Sequence, residues 1–126
     1  MNEVLIKTLV VGPIQTNCHI ITCGSTGSVM VVDPGDDAGT ILSQVDRVDI
    51  IVYTHGHFDH CGGAAEVLAE HSAESMIHLA DQPLLARAAA SAEEWGFRIK
   101  QPPAASKTIE DKCEVDVGGL SFSVIH

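Results

Sequence analysis

The stretch from Val48 to His71 constrains this chain more than any other. Val48-Asp49-Ile50-Ile51-Val52-Tyr53 is apolar and β-branched, as buried strands are. Thr54-His55-Gly56-His57-Phe58-Asp59-His60 comes next. Cys61-Gly62-Gly63 then leads into Ala64-Ala65-Glu66-Val67-Leu68-Ala69-Glu70-His71, a good helix former. A strand handing over to a helix predicts an α/β layer arrangement. The connection sits at the carboxyl end of the strand, the edge where open α/β sheets bind ligands. Its glycines let the backbone turn sharply and approach other groups closely.

Three imidazoles and one carboxylate fall within positions 55–60. Zinc takes this nitrogen and oxygen donor set, and iron and manganese use it too. His55 and His57 are two residues apart, so on an extended segment they point the same way and grip one ion. Asp59 and His60 are adjacent and are expected to diverge, which lets the same turn reach a second ion. The alternative is a surface loop that happens to be rich in histidine. The strand before the cluster and the glycine-helix signal after it argue against that.

The cluster resembles the motif shared by the metallo-β-lactamase superfamily, His-x-His-x-Asp-His. Upstream, Gly12-Pro13-Ile14-Gln15-Thr16-Asn17-Cys18 and Val31-Val32-Asp33-Pro34-Gly35-Asp36 are similar to the glyoxalase II-type branch. The resemblance implies metal ligands at His55, His57, Asp59 and His60, the first two for one ion and the last two for another. It implies Zn as the metal, two ions in a complete relative, with Fe or Mn as alternatives. It also places Asp33 beneath the metal loop as a support for its geometry, where ordinary turn chemistry offers a plain turn carboxylate instead.

The resemblance covers only the first half of the family's domain. In the family, a further His, a bridging Asp and another His come from later segments. The chain closes on Ser121-Phe122-Ser123-Val124-Ile125-His126, an alternation that reads as a strand cut at its end. By alignment His126 precedes the turn that carries the third ligand and is not that ligand. The expectation is a truncated, partial metallo-β-lactamase-like domain over residues 1–126, inactive as it stands. Its fold class is α+β or α/β, the N-terminal half of an αββα sandwich with a mixed, largely antiparallel sheet and helices on one face. The inner sheet face is then expected to lie open unless another chain covers it.

Composition narrows the function classes. The chain has 126 residues, 45% of them hydrophobic, and a formal net charge of −10. That suits a single globular domain and disfavours a polyanion binder, because phosphate contacts need Lys and Arg. A small-molecule substrate is expected, with neither nucleic acid nor membrane as a partner. Met1-Asn2-Glu3 is acidic and Lys7 interrupts the apolar run behind it, so no secretion signal is visible and the cytoplasm is the expected location. Cys18, Cys23, Cys61 and Cys113 form no CxxC pair and read as reduced, mostly buried thiols. Cys61, directly after a candidate ligand, is the one cysteine with a second reading, as a redox-sensitive or extra ligand position.

Along the chain, strands are expected at Val4 to Val11, Asn17 to Cys23, Ser28 to Asp33, 48–53 and Ser75 to Leu79. The expected helices are Asp37 to Val45, capped by Asp36, a second near 62–71, and a long one from Asp81 to Trp95, closed by Gly96. A final hairpin is expected from Thr108 to Val117 and Leu120 to Ile125, around Gly118-Gly119. His19, His71 and His78 read as structural, and Trp95 and Phe97 as core packing, with a substrate wall as the second reading.

A divalent cation in such a site lowers the pKa of bound water toward ~7 and polarises a carbonyl. The expected reaction is hydrolysis, with hydroxide attacking the carbonyl of a thioester such as a hydroxyacyl-glutathione, a substrate class implied by the resemblance. Other readings are a mononuclear-iron persulfide dioxygenase and a non-catalytic metal-binding fragment. A flavodiiron-type redox protein is disfavoured by His57, where that class carries a carboxylate. A lactam hydrolase is disfavoured by the lack of an export signal.

Overall fold

The structure is a computed structural model that describes residues 3–126. Eight strands and five short helices alternate along the described residues. They are β1 (Val4–Val11), β2 (Thr16–Cys23), β3 (Val29–Val32), α1 (Ala38–Leu42), β4 (Ile50–Val52), α2 (Phe58–Cys61), α3 (Ala64–Glu70) and β5 (Glu74–His78). After these come α4 (Gln82–Ala86), α5 (Ala88–Glu94), β6 (Lys107–Ile109), β7 (Glu114–Val117) and β8 (Leu120–Ser123). The first six strands form one sheet in chain order. β1, β2 and β3 are an antiparallel meander, whereas β4, β5 and β6 each add parallel to the strand before, across a helical connection. The sheet is mixed, as the switch from meander to strand-helix alternation predicts.

Period-two alternation sorts the apolar side chains onto two faces. Val29, Val31, Ile51 and Ile77 pack with Ile41, Val67 and Leu85 of the helices. Met30, Ile50, Met76 and Ile109 face the other way, against Val115 and Val117 of β7. The helices therefore cover one face. The opposite face departs from expectation, because the chain's own β7–β8 hairpin covers its centre. What stays open there is β1. Ile6 pairs across from Ile21 and shares its face, yet Ile6 is 62% exposed and Ile21 only 8%.

Three boundaries differ from the sequence reading, each for a local reason. The expected 81–95 helix breaks at Arg87, which has φ −108 and ψ 9. In an unbroken helix Ala89 N–H would donate to the Leu85 carbonyl. Here the Gln101 amide takes both groups, its Nε2 donating to Leu85 O at 2.7 Å and its Oε1 accepting from Ala89 N at 2.9 Å. A side chain inserted into the helical ladder is a standard cause of a kink. The expected strand from Thr108 to Val117 is two strands in different sheets, because Lys112 adopts a left-handed φ of 69 and turns the chain between them. The cap of α1 is Asp37, not Asp36. Asp37 is left-handed and spends its carboxylate on Gly12 N–H at 2.9 Å. Trp95, expected in the core, is 72% exposed.

Candidate metal centre

The loop 54–57 leaves the carboxyl end of β4 and runs into the single turn of α2, which His57 caps in extended conformation and which the His60 N–H to His57 O bond of 3.0 Å closes. Four glycine contacts show how tightly this loop is seated. The most severe is at Gly35, where a Cβ would stand 1.9 Å from the Asp59 carbonyl oxygen. Gly62 meets the Gly35 carbonyl, and Gly56 lies against the backbone of Leu85 and Asp81. Gly63 N–H, in turn, donates to Pro34 O at 2.8 Å. The Pro34-Gly35 turn and the imidazole loop thus pack backbone to backbone, which only glycine permits.

Asp33 ends β3 in a left-handed conformation, φ 56, and is 4% exposed. Its carboxylate accepts three bonds: Thr54 N–H at 2.7 Å, Thr54 hydroxyl at 2.6 Å and His60 Nδ1 at 2.8 Å. These bonds fix more than position. The Thr54 hydroxyl donates its proton to Asp33, so at its 3.1 Å contact with His55 Nδ1 it must accept. Both His55 and His60 then carry Nδ1–H and turn Nε2 outward, the form in which an imidazole with a carboxylate or hydroxyl behind it binds a metal. The Asp33 hydrogen bond holds the His60 pKa above the ordinary imidazole value. Burial and the neighbouring imidazoles pull that of His55 below it.

The four expected donors come together in one patch. His55 lies nearer His60 than His57, with ring centroids 3.9 Å and 4.7 Å away respectively. Asp59 and His60, expected to diverge, converge instead. Asp59 Oδ2 stands 3.3 Å from His60 Nε2, because the helical turn bends both side chains toward one side. Thr16 Oγ1 donates to the same Asp59 oxygen at 3.0 Å and ties the loop to the start of β2. Donor types and tautomers fit a divalent cation. Among the described residues no group of three His, Cys, Asp or Glu side chains is arranged about one point to hold it. The patch supplies donors without a closed shell.

Thr54 and Thr16 were not singled out from sequence. Their contacts cross 21 and 43 residues of chain, and the only local signal is a threonine immediately before the first histidine. The remaining histidines have structural contacts. His19 Nδ1 meets Thr8 Oγ1 at 2.9 Å, and His71 caps α3. His78 Nδ1 accepts from Ala80 N, and its ring stacks on His126 at 3.6 Å. All four cysteines are free, and Cys18, Cys23 and Cys61 are buried. Cys61 is 0% exposed, and burial pushes its thiol up to about 12, as for a thiol packed in the core.

Comparison with known proteins identifies the family and the fold. Residues 11–126 match the model of the metallo-beta-lactamase superfamily. A 62-residue stretch, 46% of the chain, is 44% identical to the hydroxyacylglutathione hydrolase of Serratia proteamaculans (strain 568), covering 24% of that protein. Among solved structures, the BLEG-1 B3 metallo-beta-lactamase superposes with a TM-score of 0.83 at 26% identity, covering 97% of this chain and 61% of that one. TTHA1623, solved in a di-iron-bound form, gives 0.80 at 28% identity, covering 86% and 56%. The chain spans about 59% of the length of the curated relatives it matches end to end. No helix among the described residues is long and apolar enough to cross a membrane. The chain belongs to the metallo-beta-lactamase superfamily.

Proposed function

We propose that this chain carries the first metal-binding segment of a metal-dependent thioester hydrolase acting on a hydroxyacyl-glutathione-like substrate. The observation that carries this reading is the Asp33–Thr54 pair, which sets His55 and His60 with Nε2 outward beside Asp59. The 44% identity to a hydroxyacylglutathione hydrolase over half the chain supports the substrate class. His55, His57, Asp59 and His60 would hold the cation, with zinc as the first choice. A bound divalent cation supplies hydroxide at neutral pH and polarises the thioester carbonyl. The chain's own residues do the holding. Asp33 fixes the tautomer of His60, Thr54 that of His55, and Thr16 orients the Asp59 carboxylate. The chain spans about 59% of the length of the relatives it matches end to end, and its own donors are expected to bind metal.

Two measurements separate these parts. Zn(II) uptake by the chain tests the donor set. Hydrolysis of a hydroxyacyl-glutathione, followed by loss of thioester absorbance, tests the reaction in a protein that carries these residues together with the later donors. The expected results are uptake by the chain and chelator-sensitive hydrolysis by the longer protein. Hydrolysis that survives chelation, or that survives His60→Ala, would contradict the reading.

A further inference from the structure

Beside the imidazoles, with Asp59 on its wall, lies a cleft of about 370 Å³ including its open mouth. Three of the segments that wall it matter first. The β1–β2 turn contributes Ile14, α2 contributes Phe58, and the segment after α5 contributes Phe97 and Arg98. Phe58 and Phe97 pack together with ring centroids 5.7 Å apart, so the aromatic side is one continuous surface. The turn is held in place: Gln15 N–H closes it onto Gly12 O at 3.1 Å, and Gly12 N–H is bound by Asp37 at 2.9 Å. Ile14, at the tip, is nevertheless 46% exposed. An apolar residue held out on an anchored turn facing an aromatic wall is placed to touch a ligand.

The charges around the cleft are of both signs. Arg98 lines it and, among the described residues, has neither an ion pair nor a hydrogen bond. Most cations of this acidic chain are engaged elsewhere, such as Arg47 with Asp49, Arg87 with Glu94 and Lys107 with Glu74. On the acidic side are Asp36 and Asp59. Asp59 directs Oδ2 to Thr16 and His60. Asp36 uses one oxygen on Asp37 N–H and keeps the other. The cleft thus offers an apolar bed, one guanidinium without a partner and one carboxylate with spare acceptor capacity. A simple anion would leave Asp36 unanswered, and a simple cation would leave Arg98 so.

We propose that this cleft binds a zwitterionic amino-acid head group with an apolar body, its carboxylate on Arg98 and its ammonium on Asp36. The assignment rests on the hydrolase reading only for its meaning, that the group is one end of a thioester substrate; the binding itself needs no metal. The test is an NMR titration of the isotope-labelled, metal-free chain with L-phenylalanine, N-acetyl-L-phenylalanine (no ammonium) and L-phenylalaninamide (no carboxylate). Phenylalanine is expected to perturb Ile14, Phe58 and Phe97 and to bind about tenfold more tightly than either analogue, as charge-assisted hydrogen bonds require. Arg98→Gln, at an exposed position, is expected to erase the difference between phenylalanine and its amide. Asp36→Asn is expected to erase the difference from the N-acetyl compound. Equal affinity for all three ligands, shifts that fall away from these residues, or preferences that both variants leave intact would overturn the proposal. Phenylalanine binding by a chain that takes up no Zn(II) would uphold the cleft while the hydrolase reading fails; the reverse result would uphold only the hydrolase.

Discussion

Strands β1 and β4 of the same sheet are similarly apolar and are built into the molecule in opposite ways. Ile50 and Ile51 of β4 are 8% and 0% exposed, one against the hairpin and the other against the helices. In β1, Val4, Leu5 and Ile6 are 45%, 53% and 62% exposed, on both faces. β1 is the edge of the sheet, and neither the helices nor the hairpin reaches its first half. Apolar composition marks a strand, but coverage by other elements decides what that strand contributes. The imidazole loop hangs from the strand closed on both sides, which is where a site needing fixed donors has to be placed.

Substitutions should expose this contrast, and the largest effect is expected at the loop seat. Gly35→Ala drives a methyl group into the Asp59 carbonyl, and a backbone atom cannot step aside as a side chain can. A loss of upwards of about 3 kcal/mol in unfolding free energy is expected by denaturant titration, together with loss of metal uptake. Next comes the pair Ile51→Ala and Ile6→Ala. The first should cost about 3 kcal/mol as a core truncation, the second under about 0.5 kcal/mol. Equal costs would mean that β1 is covered in solution and would break the comparison. Asp33→Asn removes the charge that accepts from Thr54 and His60, and about 2 kcal/mol is expected to be lost. Metal affinity should fall by about tenfold or more, read by calorimetry.

The smallest effect expected is on pH dependence. In the metal-free chain the Asp33 hydrogen bond raises the His60 pKa above the ordinary value of 6.5. A group with a raised folded pKa adds stability that is complete below its unfolded value and fades as pH rises through the folded one. The stability advantage of the native chain over His60→Gln should therefore be greatest in mild acid and shrink on going alkaline. A gap that instead widens with rising pH would show that His60 is not held by Asp33 as described.

The sequence was most informative where signals were local. β1 spans Val4–Val11 in both readings, and the imidazole cluster lies between β4 and α3 as its flanks require. Four candidate donors and Asp33 were named from sequence, and the structure brings their side chains into one patch. That Asp59 and His60 lean together was not foreseen, because a helical turn formed over Phe58–Cys61. Other misses have one cause, an interaction from far along the chain. Gln101 breaks a helix more than ten residues away, and Thr16 reaches Asp59 across 43 residues of chain. The turn at Lys112 is of another kind, because Ile109-Glu110-Asp111-Lys112-Cys113 has no glycine or proline to announce it.

The central claim is that His55, His57, Asp59 and His60 act together on one kind of ligand, a divalent cation. Calorimetric titration with Zn(II) of the native chain, beside a variant in which all four are alanine, tests it most directly. The account predicts saturable uptake by the native chain, reversed by chelator, and none above background in the variant. The same uptake by both chains would contradict it.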